Sequence, residues 1–570
     1  MSLLLLTILT PLLLALMILS PHLRPWMRYC LPLAVVPALL LALKGDPEHL
    51  VLPFMLTGME LGLDPLRGVF LWLAVLVWLV AGAFASRYLG GDRYQHRFCF
   101  YWLLTLTGNL WLILAFDVPG FYSGFALMTF AAYGLVVHNA SKEAQRAGRV
   151  YLWMAVLGEG LLVAGLFAAV SATDNYASSL HLLPAAIAES EQTLLISGLI
   201  FFGLGVKAGI AGLHLWLPLA HPVAPTPASA VLSGVMIKAG LLGWLLLLPL
   251  GEVNLPGAGL GVVVLGLVAA LGGALIGVCQ QSPKAVLAYS SISQMGLMTL
   301  AVGAALMDAQ AAPALMGITA LYALHHGLAK GTLFLGVSTL GRNPWWLLPL
   351  ALPALALVGW PLSSGAAAKL ALKDALPAAL DTGWLLALLS LAAAGTTALM
   401  LRFFWTLRGQ LRESGPRRPD PWLLACWLVG LACTGGLFWW LPLQELPALV
   451  YGLSPGKAVD LILPPLVAMV LAALGWGLLR QWLKWPALPP GDLLLPLTAL
   501  MVWLSHQGHQ SGRAVAVPGQ RLMVRGRVLL DWLMLDRGRP ERLEAWLRQQ
   551  VAWIFLLLLC LMMLLALSSL

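Results

Sequence analysis

The chain is a succession of apolar runs near the ~20 residues a helix needs to cross a bilayer, joined by short links that hold most of its charge. Such runs can be read at about 3–20, 29–43, 67–86, 98–116, 119–138, 150–172, 192–217 and 228–248. They continue at about 258–280, 285–306, 313–340, 346–376, 383–407, 421–441, 458–480 and 551–567. In lipid every backbone N–H and C=O must be satisfied within the chain, and runs of this length do so as helices. With 60% hydrophobic and only 10% charged residues over 570 positions, a soluble globular reading is excluded. The pattern predicts an all-α polytopic membrane protein with about 16 transmembrane helices. The first run, Leu3 to Leu19, has neither a basic leader nor a small-residue cleavage site and is read as a spanning helix.

The formal charge of +9 does not point to nucleic acid, because the basic residues sit in the short links. Arg24 and Arg28, Arg87, Arg93 and Arg97, then Lys142, Arg146 and Arg149 form one series of links. Asp46 and Glu48, then Asp174, Glu189 and Glu191, then Asp308 form the other. The positive-inside rule places the first series in the cytoplasm, with Arg408–Arg418 and Arg480–Lys484 on the same side, and the N-terminus outside. Within 485–550 the best apolar run, Leu493 to Leu504, is too short to span, and many arginines follow it. This region is read as a cytoplasm-side lateral segment lying along the membrane, partly amphipathic, before the last span. The resulting division is 1–97 (N-terminal helices), 98–248, 258–408, 421–484 (C-terminal helices), 485–550 (lateral segment) and 551–570 (final helix). The six cysteines are scattered through apolar stretches with no ligand spacing, so neither a metal site nor a cofactor is expected.

A short set of ionisable residues stands inside the apolar runs: Glu159, Lys207, His214, Lys238, His325, His326, Lys330 and Lys369. A charge near the bilayer centre costs ~3 kcal/mol or more, so such residues face a polar interior and carry function. A single lysine can instead snorkel to an interface, but four in separate apolar helices are poorly explained that way. His326 and Lys330 stand four residues apart and share one helix face. Between Lys207 and Lys238 lie His214, His221, Pro218, Pro222, Pro225 and Pro227, a cluster expected to break a helix at membrane depth. Lys369 follows a second expected break at WPLSSG, so two interrupted helices occupy corresponding places in two halves, as in inverted repeats. Glu159 is read either as a carboxylate at a helix end or as the buried partner of a lysine.

The stretches LGLDPLRGVF, HLWLPLAHPVAPTPASAVLSGVMIKAG, SPKAVLAYSSISQMG, HHGLAKGTLFLG and GWPLSSGAAAK resemble the antiporter-like membrane subunits of respiratory complex I, Mrp cation/proton antiporters and energy-converting hydrogenases. The likeness runs from about Leu61 to Arg402. It implies two linked proton half-channels in two inverted five-helix repeats with broken helices, joined by a hydrophilic axis. It also implies Lys207 as the lysine of the first broken helix, Lys238 as the connecting lysine, Lys330 as the central lysine of the second half and Lys369 as the ion of the second broken helix. The 485–550 segment with its last span looks like the lateral arm of the longer members. The chain departs from the family at several places. The usual glutamate of the fifth segment is Ala126, an acid common after the proline is Leu219, the aspartate before Lys284 is Ser282, and a histidine two turns before Lys330 is Tyr322. Without a carboxylate Lys207 would lack its counter-charge, and Glu159 on the next helix is expected to supply it.

Together these readings predict a proton-translocating or sodium/proton antiporter-like subunit of a multisubunit energy-coupling complex in a bacterial inner membrane. No catalytic site is expected in this chain. Its partners would be other membrane subunits with a redox enzyme, an NADH:quinone oxidoreductase-like or hydrogenase-like assembly. The alternative is a subunit that uses a cation gradient to drive a partner such as an inorganic-carbon uptake enzyme.

Overall fold

The computed structural model describes residues 2–45, 49–52, 58–340, 344–376, 380, 383–413, 420–440, 455–479 and 488–491. The expected lateral segment at 485–550 and the final helix at 551–570 lie almost wholly outside the described residues. Two compact units are distinguished, Met1–Leu50 with Leu61–Pro490, and Val51–Glu60 with Gly491–Leu570. Everything below concerns the first.

Its helices follow the apolar runs. They are α1 Leu3–Ala15, α2 Val36–Lys44, α3 Pro65–Tyr88, α4 Gln95–Leu114, α5 Val118–Val136, α6 Lys142–Ser171, α7 Thr193–Ala208, α8 Trp216–Val223 and α9 Thr226–Leu247. After them come α10 Pro256–Gly277, α11 Pro283–Met307, α12 Ala312–Thr339, α13 Leu347–Val358, α14 Ser364–Asp374, α15 Gly383–Glu413, α16 Pro421–Trp440 and α17 Pro455–Leu479. Among the described residues, seven helices are long and apolar enough to cross a membrane by themselves: α3, α4, α6, α9, α10, α11 and α15. The number rises to eight if the pair Arg24–Cys30 and Leu33–Lys44, bent by 56°, is one span. Helix α6 starts eight residues before the run expected at 150, because the basic turn Lys142–Arg149 continues the helix past its apolar part.

The starts of several helices are written in the sequence as an acid or serine followed by an early proline or small residue. Asp64 caps α3 by accepting from the Arg67 N–H at 2.7 Å, Asp117 caps α5 through the Gly120 N–H at 2.6 Å, and Ser141 caps α6 through the Ala144 N–H at 3.1 Å. Arg67 is buried, pairs with Asp64, donates to the Ala115 carbonyl at 2.9 Å and lies over the Phe116 ring, so it ties the start of α3 to the end of α4.

Helices α9 and α11 are enclosed on all sides and form the centre of this unit. Along α10 and α11 the backbones touch: a Cβ on Gly266 would stand 2.6 Å from the Gly296 carbonyl oxygen, and one on Gly296 2.5 Å from the Ala270 nitrogen. There is no room for a side chain at that crossing. Gly296→Val should therefore cost about 1–3 kcal/mol by overpacking. It should lower the thermal midpoint in detergent, and an unchanged melt would show that the crossing can open freely.

Two helices are broken where lysines sit, though not as the prolines suggested. The α7–α8 break spans residues 209–215 and is made by Gly209 (φ +74°) and Gly212 (φ +84°). Pro218 and Pro222 lie within α8, Pro225 precedes α9 and Pro227 is in its first turn, positions at which the missing N–H is least costly or is compensated locally. The α13–α14 break covers 359–363, with Gly359 at φ +88° and Leu362 at φ +61°, and coincides with WPLSSG. A third irregularity is a π turn at Leu232–Met236 inside α9, one turn before Lys238.

Candidate functional site

Lys207 occupies the last turn of α7, just before the break, and faces α6. On α6, Tyr151 and Glu159 are eight residues apart, so both point to the same side. With Phe125 and Thr129 of α5 and Trp216 of α8, these residues line a small cavity. The Lys207 Nζ donates to the Tyr151 hydroxyl at 3.0 Å, and that hydroxyl donates to the Thr129 carbonyl at 2.6 Å. Three rings surround the ammonium, with centroids at 5.2 Å for Tyr151, 5.7 Å for Trp216 and 6.0 Å for Phe125. Glu159 is buried, neither of its oxygens makes a well-formed hydrogen bond, and Thr129 and Tyr122 are the polar side chains that face it. Lysine and carboxylate thus line one cavity without forming a direct ion pair. Glu159 lies in the middle of α6, with Lys207 in the wall of the same cavity. Ala126 is half-buried on α5, beside the cavity-lining Phe125.

The second group is built around α12. Lys330 is fully buried, and its Nζ donates to the Leu287 carbonyl of α11 at 2.8 Å. His326, one turn earlier on the same face, is buried with no hydrogen-bond partner at either ring nitrogen. Its neighbour His325 has Nδ1 2.8 Å from the hydroxyl of Ser364, the first residue of α14, so α12 is latched to the second broken helix. Lys369 stands on α14 and donates to the Leu357 and Val358 carbonyls at 2.9 and 2.7 Å, the carbonyls left unpaired at the end of α13. Lys238 donates to the Ser233 carbonyl, freed by the π turn, at 2.5 Å, and Ser233 in turn meets Ser291 of α11 at 2.7 Å. Ser291 also donates to the Leu287 carbonyl at 3.1 Å, so Lys238 and Lys330 are tied to one stretch of α11. Each of these lysines is solvated by main-chain oxygen that a helix break, a π turn or a neighbouring helix supplies.

The residues singled out in the sequence are therefore brought together in two clusters, Glu159 with Lys207, and Lys238, His325, His326 and Lys330 with Lys369. His214 is the exception. It lies in the α7–α8 break with Nδ1 3.3 Å from the Ile210 carbonyl and is not part of the cavity wall. Three polar residues belong with the clusters that sequence reasoning did not include. Tyr151 bridges Lys207 to α5. Lys284 donates to the Ala224 carbonyl at 2.7 Å. His221 stacks on Phe334 at 4.7 Å between centroids, with both nitrogens buried and unbonded. His221 stands within the proline cluster in the sequence, whereas Lys284 is brought to it only by the fold. Tyr322 donates to the Gln294 side chain at 2.8 Å, and Gln294 donates to Thr396 of α15 at 2.9 Å.

Residues 115–394, which hold both clusters, match the family model described as NADH:quinone oxidoreductase/Mrp antiporter, TM. These residues are thus similar to that antiporter-like family. The chain is 27% identical over 373 residues to hydrogenase-4 component B of Escherichia coli (strain K12), covering 58% of this chain and 53% of that protein. It is 30% identical over 285 residues to NADH-quinone oxidoreductase subunit N of Desulforudis audaxviator (strain MP104C), covering 49% and 55%. The antiporter-like chain thus spans about half the length of these curated relatives. Its fold is that of a chain in the Mrp complex from Dietzia sp. DQ12-45-1b, with a TM-score of 0.72 at 22% identity over 100% of this chain and 63% of that one.

Proposed function

We propose that this chain moves protons across a bacterial inner membrane as one subunit of a multisubunit, redox-linked complex. The observation that carries this reading is the cavity shared by Glu159 and Lys207 beside a helix break. A carboxylate and an amine enclosed together can exchange a proton, and an isolated structural pair would be expected in direct contact. From there the route passes to Lys238, then His326 and Lys330, and leaves by Lys369. The order of elements supports two inverted repeats at 98–248 and 258–408: in each, two helices and a long third helix precede a broken pair and a closing helix. Relatives named as hydrogenase and NADH-quinone oxidoreductase components support a redox partner.

The test is purification with native partners, reconstitution into liposomes and measurement of proton and sodium flux with separate dyes. Proton movement coupled to the partner's electron transfer is the expected result. Flux of sodium alone, or co-purification of a carbonic-anhydrase-like protein in place of a redox enzyme, would overturn this reading.

A further inference from the structure

The family match ends at residue 394, yet a helix beyond it closes the second cluster. In α17, Leu461 packs with Ala366 and Leu370 of α14. This contact brings the preceding residue, Asp460, to a cavity of about 490 Å³ that is also lined by Val358, Gly359, Lys369, Lys373 and Ser390. The charged groups in it are graded by depth: Lys369 is buried, Lys373 one turn further along α14 is half-buried, and Asp460 is exposed. The cavity therefore runs from the ammonium of the second broken helix to the surface, and a carboxylate stands at its mouth.

The side on which it opens follows from the charges of the two other elements that form its wall. Ser390 is near the start of α15, whose far end carries Arg408 and Arg412, and Asp460 is near the start of α17, which is followed by Arg480 and Lys484. The basic ends face the cytoplasm, so both starts, and the cavity mouth, face the opposite compartment.

We propose that Asp460 is the proton-exchange group between Lys369 and the extracytoplasmic water, with Lys373 as the intermediate station. This inference rests on the relay proposed above and extends it outside the region shared with the family. In the outward direction the Lys369 ammonium gives its proton to the Lys373 amine, and the Lys373 ammonium passes it to the Asp460 carboxylate. The resulting carboxylic acid releases it to water. Each group then returns to its starting state, and the reverse order carries a proton inward.

The test uses the intact complex in proteoliposomes, comparing Asp460→Asn, Asp460→Glu and Lys373→Gln with Lys330→Met, and checking that each variant assembles with its partners. Asp460→Asn and Lys373→Gln should slow proton flux by about tenfold or more, below the full contribution of a positioned proton-transfer group because water gives some bypass at the mouth. Asp460→Glu should retain most of the flux, a rescue that a merely structural aspartate would not show. Wild-type flux in Asp460→Asn, or equal losses in Asp460→Asn and Asp460→Glu, would overturn the role of Asp460 while Lys330→Met still blocks. Wild-type flux in Lys330→Met as well would overturn the relay itself.

Discussion

Lys330→Met should stop proton movement and leave the fold standing. Lys330 is fully buried, and its Nζ donates to the Leu287 carbonyl at 2.8 Å. Methionine has nearly the same length and no titratable nitrogen, so it fills the space while deleting the proton carrier. The carbonyl left behind is not orphaned, because the Ser291 hydroxyl also donates to it at 3.1 Å. Replacing a buried charged group by an apolar one of similar volume is often neutral or stabilising, so the melting temperature should hold or rise. Proton flux should fall by about a hundredfold or more, the range associated with losing a positioned proton-transfer group. The two readouts are measured on one preparation, by melting in detergent and by dye quenching in liposomes. Flux near wild type in a well-folded Lys330→Met complex would mean that protons bypass α12.

Why these lysines were legible in the sequence, and other parts of the site were not, has a physical basis. An ammonium in an apolar run is costly wherever the chain goes, so Lys207, Lys238, Lys330 and Lys369 announce themselves without a structure. The helix positions are equally visible, because apolarity reports the part of a helix that meets lipid. It does not report the part that continues into the basic turn of α6. The break after Lys207 was visible only as a disturbed region: prolines marked it, but left-handed glycines make it, and a glycine's φ is not written in its neighbours. The carbonyls that receive Lys238 and Lys369 are main-chain atoms, exposed by a π turn and by the end of α13, and no residue type encodes them. Asp460 could not be connected to Lys373 from the sequence, because the link runs through the packing of Leu461 on α14.

Glu159→Gln should slow proton flux by about tenfold, equivalent to ~1.4 kcal/mol in the limiting barrier. The amide keeps the size of the carboxylate and can face the same Thr129 and Tyr122 side chains, so packing in the cavity is preserved. What is lost is the one carboxylate that Lys207 shares the cavity with, among the residues that line it. The decisive step is to put the charge back from another helix. The sequence resemblance implies a glutamate at the place of Ala126, which adjoins Phe125 of the cavity wall on α5. In an Ala126→Glu, Glu159→Gln double variant the acid approaches Lys207 from α5 instead of α6. If the cavity needs a carboxylate and either helix can supply it, the double variant recovers most of the flux lost in the single one. The longer side chain at 126 has to fit against a half-buried site, so its melt is measured alongside. A stable double variant that stays as slow as Glu159→Gln would show that the position of the acid on α6, and not only its charge, sets the exchange with Lys207. Unchanged flux in Glu159→Gln itself would remove Glu159 from the pathway and leave Lys207 to act with Tyr151 alone.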